Sequence, residues 1–399
     1  MAGITEPAGQ APGLESEGLA RSSSKTARPP SKSWRQTRPL ALACWLGLAA
    51  VPVGAAEITA ELSIGGVLAA VVQCQRVSGD PNAPNTCRGA APLQPELTYR
   101  PTAQDEIFVK LGVAAGDALN LVTPFALPPW YADLASGVKD INGRNRSYLL
   151  EAWYAHTIQL GSDNTLEITG GIIDPAFYVD ENAYANDEYT QFMNQALVNA
   201  PSAFLPGHDW GSVLVWKYQD WTLSAIGMNV GENDDGNNYN FYTAEADYHL
   251  ETDLGEGNYR VLYSGTSRAY PDPAGTTLER RAALSLSFDQ ALGEVVGVFL
   301  RLGWQSEDPA VDYRALYSGG FDFKGLAWGR ERDNIGIGYA YLVGGNSDIA
   351  RSQVFEAYYR FGINEHLALT ADLQYQADSY QDADSPQGWI SGLRLTCEL

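Results

Sequence analysis

Residues 180–201 read DENAYANDEYTQFMNQALVNAP. Asp180, Glu181, Asp187 and Glu188 supply carboxylates, Gln191 and Asn194 supply amides, and no basic residue interrupts them. Such groups can replace the water around a polyhydroxylated solute through hydrogen bonds. Paired acids also serve glycoside hydrolysis, but that reaction needs a defined separation across a sugar ring. Two acids a few residues apart on one loop define none. Asn186 or Asp187 can cap a short helix, with Glu188 in its first turn. Pro201 and Pro206 can end it. Phe192, Met193, Ala196 and Leu197 give it an apolar side to lay against a wall.

Other chemistry lacks its parts. There is no Gly-x-Ser-x-Gly elbow. His156, His208, His249 and His366 are scattered, without metal spacing. GENDDGNN resembles a calcium loop, but Gly231 stands where the first Asp should be. Asp235-Gly236 reads instead as a hairpin turn. Neither an enzyme nor a cofactor is expected. Lys+Arg 26 against Asp+Glu 48, a formal charge of −22, argues against a nucleic-acid partner, which would need a basic face.

The elements that position the acidic segment alternate with a period of two. In HLALTADLQYQ, Leu367, Leu369, Ala371, Leu373 and Tyr375 share one face and Thr370, Asp372, Gln374 and Gln376 the other. VFEAYYRF, AALSLSF and the closing strand, with Leu393, Leu395 and Cys397 against Arg394 and Thr396, repeat the pattern. Reading on in this way places sixteen strands between residues 58 and 398. Connections such as GSDN, QDW and INE are short. They alternate with longer, more acidic ones such as RAYPDPAGTTLE and the segment 175–210. An even strand number, with short turns on one side and long loops on the other, predicts an all-β fold: a transmembrane antiparallel β-barrel of about sixteen strands. By parity Lys110, Arg260, Arg281, Arg301, Arg360 and Arg394 fall on the polar face, where they would line the lumen. Trp216, Tyr218, Tyr239 and Trp304 suit an outward girdle at the membrane interface. The expected domains are 1–56, removed, and 57–399, the barrel.

Residues 1–31 lack periodicity and read as disordered. Lys32, Arg35 and Arg38 then precede the apolar run Leu40–Val53 and the small residues Gly54-Ala55-Ala56, the pattern of a secretory signal. Export permits disulfides. Cys74 and Cys87 flank a turn-rich stretch and are expected to pair, which leaves Cys397 free.

DENAYANDEYTQFMNQALVNAPSAFLPG resembles the constriction segment of the carbohydrate-selective (OprB-type) porin family. Ala185-Asn186-Asp187-Glu188, Gln191-Phe192, Asn194, Val198-Asn199 and Pro201 carry the likeness. RLGWQ, GGFDFKGLAWGRERDNIGIGYAY, FEAYYRFGINEHLALTADLQY and GLRL extend it through the C-terminal third. The resemblance implies an outer-membrane sugar channel, commonly of sixteen strands, with a narrow charged eyelet. For this chain, parity and the loop assign Asp187, Glu188, Gln191 and Asn194 to one side of the eyelet. Arg260, Arg281 and Arg301 come from the opposite wall, with Glu151 and Trp153 nearby; each Arg could equally pin the loop. The expected partners are small sugars, outer-membrane lipid and lipopolysaccharide, in a monomer or homotrimer. The alternatives are a general or cation-selective porin, a non-conducting structural or adhesive barrel and, last, a soluble sandwich.

Overall fold

Alternation along each strand becomes an inside and an outside. The computed structural model describes residues 56–144 and 146–399; the expected leader and secretory signal fall outside them up to residue 55. Sixteen strands form one closed antiparallel barrel. They are β1 (Leu62–Ser78), β2 (Cys87–Tyr99), β3 (Asp105–Leu111 continued by Val113–Ala115), β4 (Leu149–Gly161), β5 (Asn164–Ile173), β6 (Asp209–Tyr218), β7 (Trp221–Val230) and β8 (Tyr239–Thr252). They continue as β9 (Gly255–Thr266), β10 (Ala282–Leu292), β11 (Val296–Gln305), β12 (Tyr313–Lys324), β13 (Asn334–Gly344), β14 (Ile349–Gly362), β15 (Leu367–Tyr380) and β16 (Gln387–Glu398). Each strand pairs with its sequence neighbour. β16 closes on β1 in a register running from Val67 opposite Glu398 to Ser78 opposite Gln387.

The sense of burial separates this barrel from a soluble sandwich. On β16, Leu393 is 55% exposed and Leu395 42%, whereas Arg394 is fully buried. Leu369 and Leu373 on β15 are likewise exposed, with Thr370, Asp372 and Gln374 of the opposite parity buried. An apolar exterior around a polar interior is the arrangement that hydrocarbon requires. Closure also leaves no sheet edge unpaired in lipid. Trp216, Tyr218 and Trp304 face outward, as a girdle needs. Tyr239 does not. It shares the inward parity of Phe241 and Thr243 and packs on Tyr270, with ring centres 5.3 Å apart.

Connections 100–104, 162–163, 219–220, 253–254, 293–295 and 363–366 are short and lie at one end. One turn at that end is longer than the alternation predicts. Residues 325–333 contain a 3₁₀ turn, Gly325–Trp328, and a latch around Asp333. Asp333 accepts from Arg330 Nε at 2.6 Å, from the Gly362 N–H at 3.0 Å and from the Tyr359 hydroxyl. At the other end, Cys74 and Cys87 form the expected disulfide across the base of the β1–β2 loop, and Cys397 is free.

Candidate functional site

Two long connections turn into the barrel. Residues 174–208, between β5 and β6, cross the lumen against the wall formed by β8, β10, β11 and β14–β16. A segment without strand partners carries backbone groups that must be satisfied from elsewhere, and the wall supplies them. Glu245 of β8 accepts from the Asp180 N–H at 2.9 Å. Glu356 of β14 accepts from the N–H groups of Met193 and Asn194 at 2.5 and 3.0 Å. Arg394 of β16 donates to the carbonyls of Glu188 and Gln191 at 2.7 and 2.9 Å. Met193 is buried in a cluster with Trp130, and Phe192, Ala196 and Leu197 are buried on this side. Gly338 of β13 makes room for them: a Cβ there would lie 3.0 Å from both Phe192 and Leu197. The helix is shorter and later than expected. α1 is Gln195–Val198, capped by Asn194, while Asp187 caps only the turn before it by accepting from the Tyr189 N–H.

The second connection, between β3 and β4, also folds inward along its described residues 116–144. Trp130 is fully buried and donates from Nε1 to the Glu188 carbonyl at 2.9 Å. The Tyr131 N–H bonds the Met193 carbonyl at 2.8 Å, so the two connections brace each other. The signal for this was present in the apolar residues Leu119, Trp130, Leu134, Val138 and Ile141, all buried.

Between these connections and strands β1–β4 lies a cavity of about 680 Å³. Glu96, Lys110 and Glu151 reach it from the wall, Tyr131 and Asp133 from the first connection, and Asp174, Asp187, Glu188, Thr190, Gln195, Asn199 and His208 from the second. Lys110 lies 3.2 Å from Glu96 and 3.7 Å from Glu151. Lys110 is therefore the cationic side chain among many carboxylates, with the His208 imidazole beside them.

Asp187, Glu188 and Glu151 thus lie together on the cavity, while the other sequence-selected residues brace it from behind. Gln191 accepts from the N–H groups of Asn186 and Asp187 and donates to the Ala183 carbonyl. Asn194 is buried and donates to Gln374 at 3.1 Å. Trp153 stacks on Phe108 with ring centres 5.0 Å apart and donates to Glu151.

The arginines do not face the acidic turn across open water. Arg301 lies wholly buried beneath the segment. It donates to the carbonyls of Asp180, Ala185, Leu197 and Val198, and its Nε lies 3.4 Å from Asp180. Arg260 is buried between Asp247 and Asp289, at 3.2 and 2.6 Å. Arg281 donates to Gln305 and lies over the Phe204 ring, 4.5 Å from its centre. The physical reason is supply. A guanidinium has five donors, and an irregular segment offers carbonyls that need them.

A closed barrel with an apolar exterior, a polar lumen and an internal segment that narrows it is an outer-membrane porin. The sequence matches the carbohydrate-selective porin, OprB family, over residues 131–399, and the chain belongs to that family. It therefore forms an outer-membrane sugar channel. An uncharacterized protein of Aquifex aeolicus is 29% identical over 315 residues, covering 78% of this chain and 89% of that one. Porin AaxA of Chlamydia abortus is 24% identical over 65% of this chain and 59% of its own length. In fold, the chain is similar to the high-pH structure of Pseudomonas putida OprB. The TM-score is 0.67 at 14% identity, over 85% of this chain and 94% of that one. The DcaP channel of Acinetobacter baumannii gives a TM-score of 0.55 at 11% identity, over 85% and 97%.

Proposed function

We propose that the cavity bounded by Lys110, Tyr131, Glu151, Asp187 and Glu188 is the sugar-binding constriction of this channel. The observation that carries this reading is that the segment is pinned across the lumen and leaves a polar cavity between itself and strands β1–β4. A volume of about 680 Å³ falls within the range of small-molecule sites. Carboxylates and amides accept from sugar hydroxyls, Lys110 donates to them, and the partly exposed Tyr131 ring offers a face for stacking. Such bonds replace the water that a sugar sheds, and they must be weak enough to release it.

On this reading the protein performs diffusion and no catalysis. Its outer belt meets lipid, its long acidic loops meet lipopolysaccharide, and it works as a monomer or homotrimer. Liposome swelling tests the proposal: Lys110→Ala and Glu188→Gln should each change the rate for glucose relative to larger sugars. Equal swelling profiles for wild type and both variants would reject this cavity as the constriction.

A further inference from the structure

Three side chains on the cavity converge in a way that ion pairing leaves incomplete. Glu151 lies on β4, Asp174 follows β5 and His208 precedes β6; each offers one atom, and these atoms all lie within 4.8 Å of one another. His208 is only 7% exposed, and its Nδ1 has no hydrogen-bond partner. Nδ1 stands 3.9 Å from Asp174 Oδ2, beyond hydrogen-bond reach. A tetrahedral ion bonded at about 2 Å to each atom holds its ligand atoms roughly 3.3 Å apart, so a small movement of the side chains closes the gap around it.

The surroundings fix which atoms remain free. His208 Nε2 lies 3.2 Å from Asp133 Oδ2, and Gln94 holds that same oxygen at 2.8 Å. A carboxylate on one ring nitrogen keeps the proton there and leaves the other nitrogen's lone pair available, the usual support of a metal-bound histidine. Asp174 Oδ1 accepts from the Ala176 N–H at 3.0 Å, leaving Oδ2 toward the imidazole. Glu151 Oε2 accepts from Trp153 Nε1 at 3.1 Å, while Oε1 has Lys110 at 3.7 Å. Asp174 and His208 each have one atom tethered and another available, and Glu151 Oε1 has only the longer Lys110 contact to give up.

We propose that Glu151, Asp174 and His208 form a divalent-metal site of the zinc class on the sugar pathway. One imidazole with two carboxylates suits zinc and its neighbours; calcium prefers an all-oxygen shell. A bound ion ties both ends of the constriction segment to the β4 wall and leaves its remaining positions to water. Sequence spacing cannot reveal such a site, because the ligands come from three separate elements.

The test uses the full barrel, purified from outer membrane in detergent, stripped with chelator and titrated with zinc chloride alone. Calorimetry and metal analysis should give one zinc per barrel. Asp133→Asn should weaken binding about 10–100-fold, and His208→Ala by more than that range. Heat-modifiable migration on gels shows whether each variant is folded, and Glu151→Gln replaces His208→Ala should the latter fail to assemble. The proposal is overturned by sub-stoichiometric zinc, by unchanged affinity in a folded ligand variant, or by calcium displacing zinc. The titration contains no sugar, so its failure leaves the sugar-constriction reading standing, and failure of the swelling assay leaves the metal site standing.

Discussion

Arg301 and Asp180 meet beneath the inward segment, residues 174–208, with Nε 3.4 Å from Oδ1 and neither side chain open to water. The same guanidinium bonds four carbonyls of the segment, and Asp180 accepts from the Ala200 N–H at 2.6 Å. One ion pair therefore joins the barrel wall to both arms of the segment. Removing the cation leaves a buried carboxylate and four carbonyls without it, a loss of about 3–5 kcal/mol. Arg301→Ala should release the segment while the barrel still closes. Larger single-channel conductance and new protease cleavage within 180–200 are the expected outcomes.

The close approach at Gly338 gives an independent route to the same state. Gly338→Leu puts side-chain atoms where Phe192 and Leu197 now pack. The segment should lift, conductance should rise and discrimination between sugars should fall, with the strand register unchanged. Wild-type currents in this variant would show that the segment does not depend on that contact.

Arg281 makes a milder contrast. Its stack on Phe204 is worth about 1 kcal/mol, and Phe204 lines the cavity. Arg281→Ala should raise conductance and lower sugar discrimination less than Arg301→Ala does, measured side by side in planar bilayers.

The turn latch predicts an acid dependence. Burial opposes the Asp333 charge, but Arg330, Tyr359 and the Gly362 N–H outweigh it and lower the carboxyl from its ordinary value near 3.8 to about 2. A lowered folded-state pKa means stabilisation that is complete above the unfolded value and is lost as pH falls from about 4 towards 2. Asp333→Asn should flatten that part of the unfolding profile and leave the region above pH about 5 parallel to wild type. An unchanged acid slope would remove Asp333 from the account.

Much of this architecture was legible because a barrel strand writes its two faces into alternate residues. Leu369 against Thr370, and Leu395 against Arg394, needed no tertiary information. The apolar side of the inward segment was legible in Phe192, Met193, Ala196 and Leu197 for the same reason. Parity, however, gives only the face and not what covers it. It placed Arg301 and Arg260 inward correctly but could not show that segment carbonyls and neighbouring acids would occupy them. The helix start was misplaced because Asn186, Asp187 and Asn194 are equally good caps. Only the Glu356 contact and the Gln374 bond select Asn194. Asp133, Asp174 and His208 were invisible as a group, since Asp133 comes from one connection and the other two from opposite ends of the second.

The central claim is that the pinned segment, rather than the barrel bore, sets which sugars pass. Its most direct test is liposome swelling with a size series of neutral sugars, comparing wild type with the Arg301→Ala, Arg394→Ala double variant, both confirmed as folded barrels. The account predicts a steep fall in rate with sugar size for wild type and a shallow one for the variant. Superimposable size profiles would contradict it.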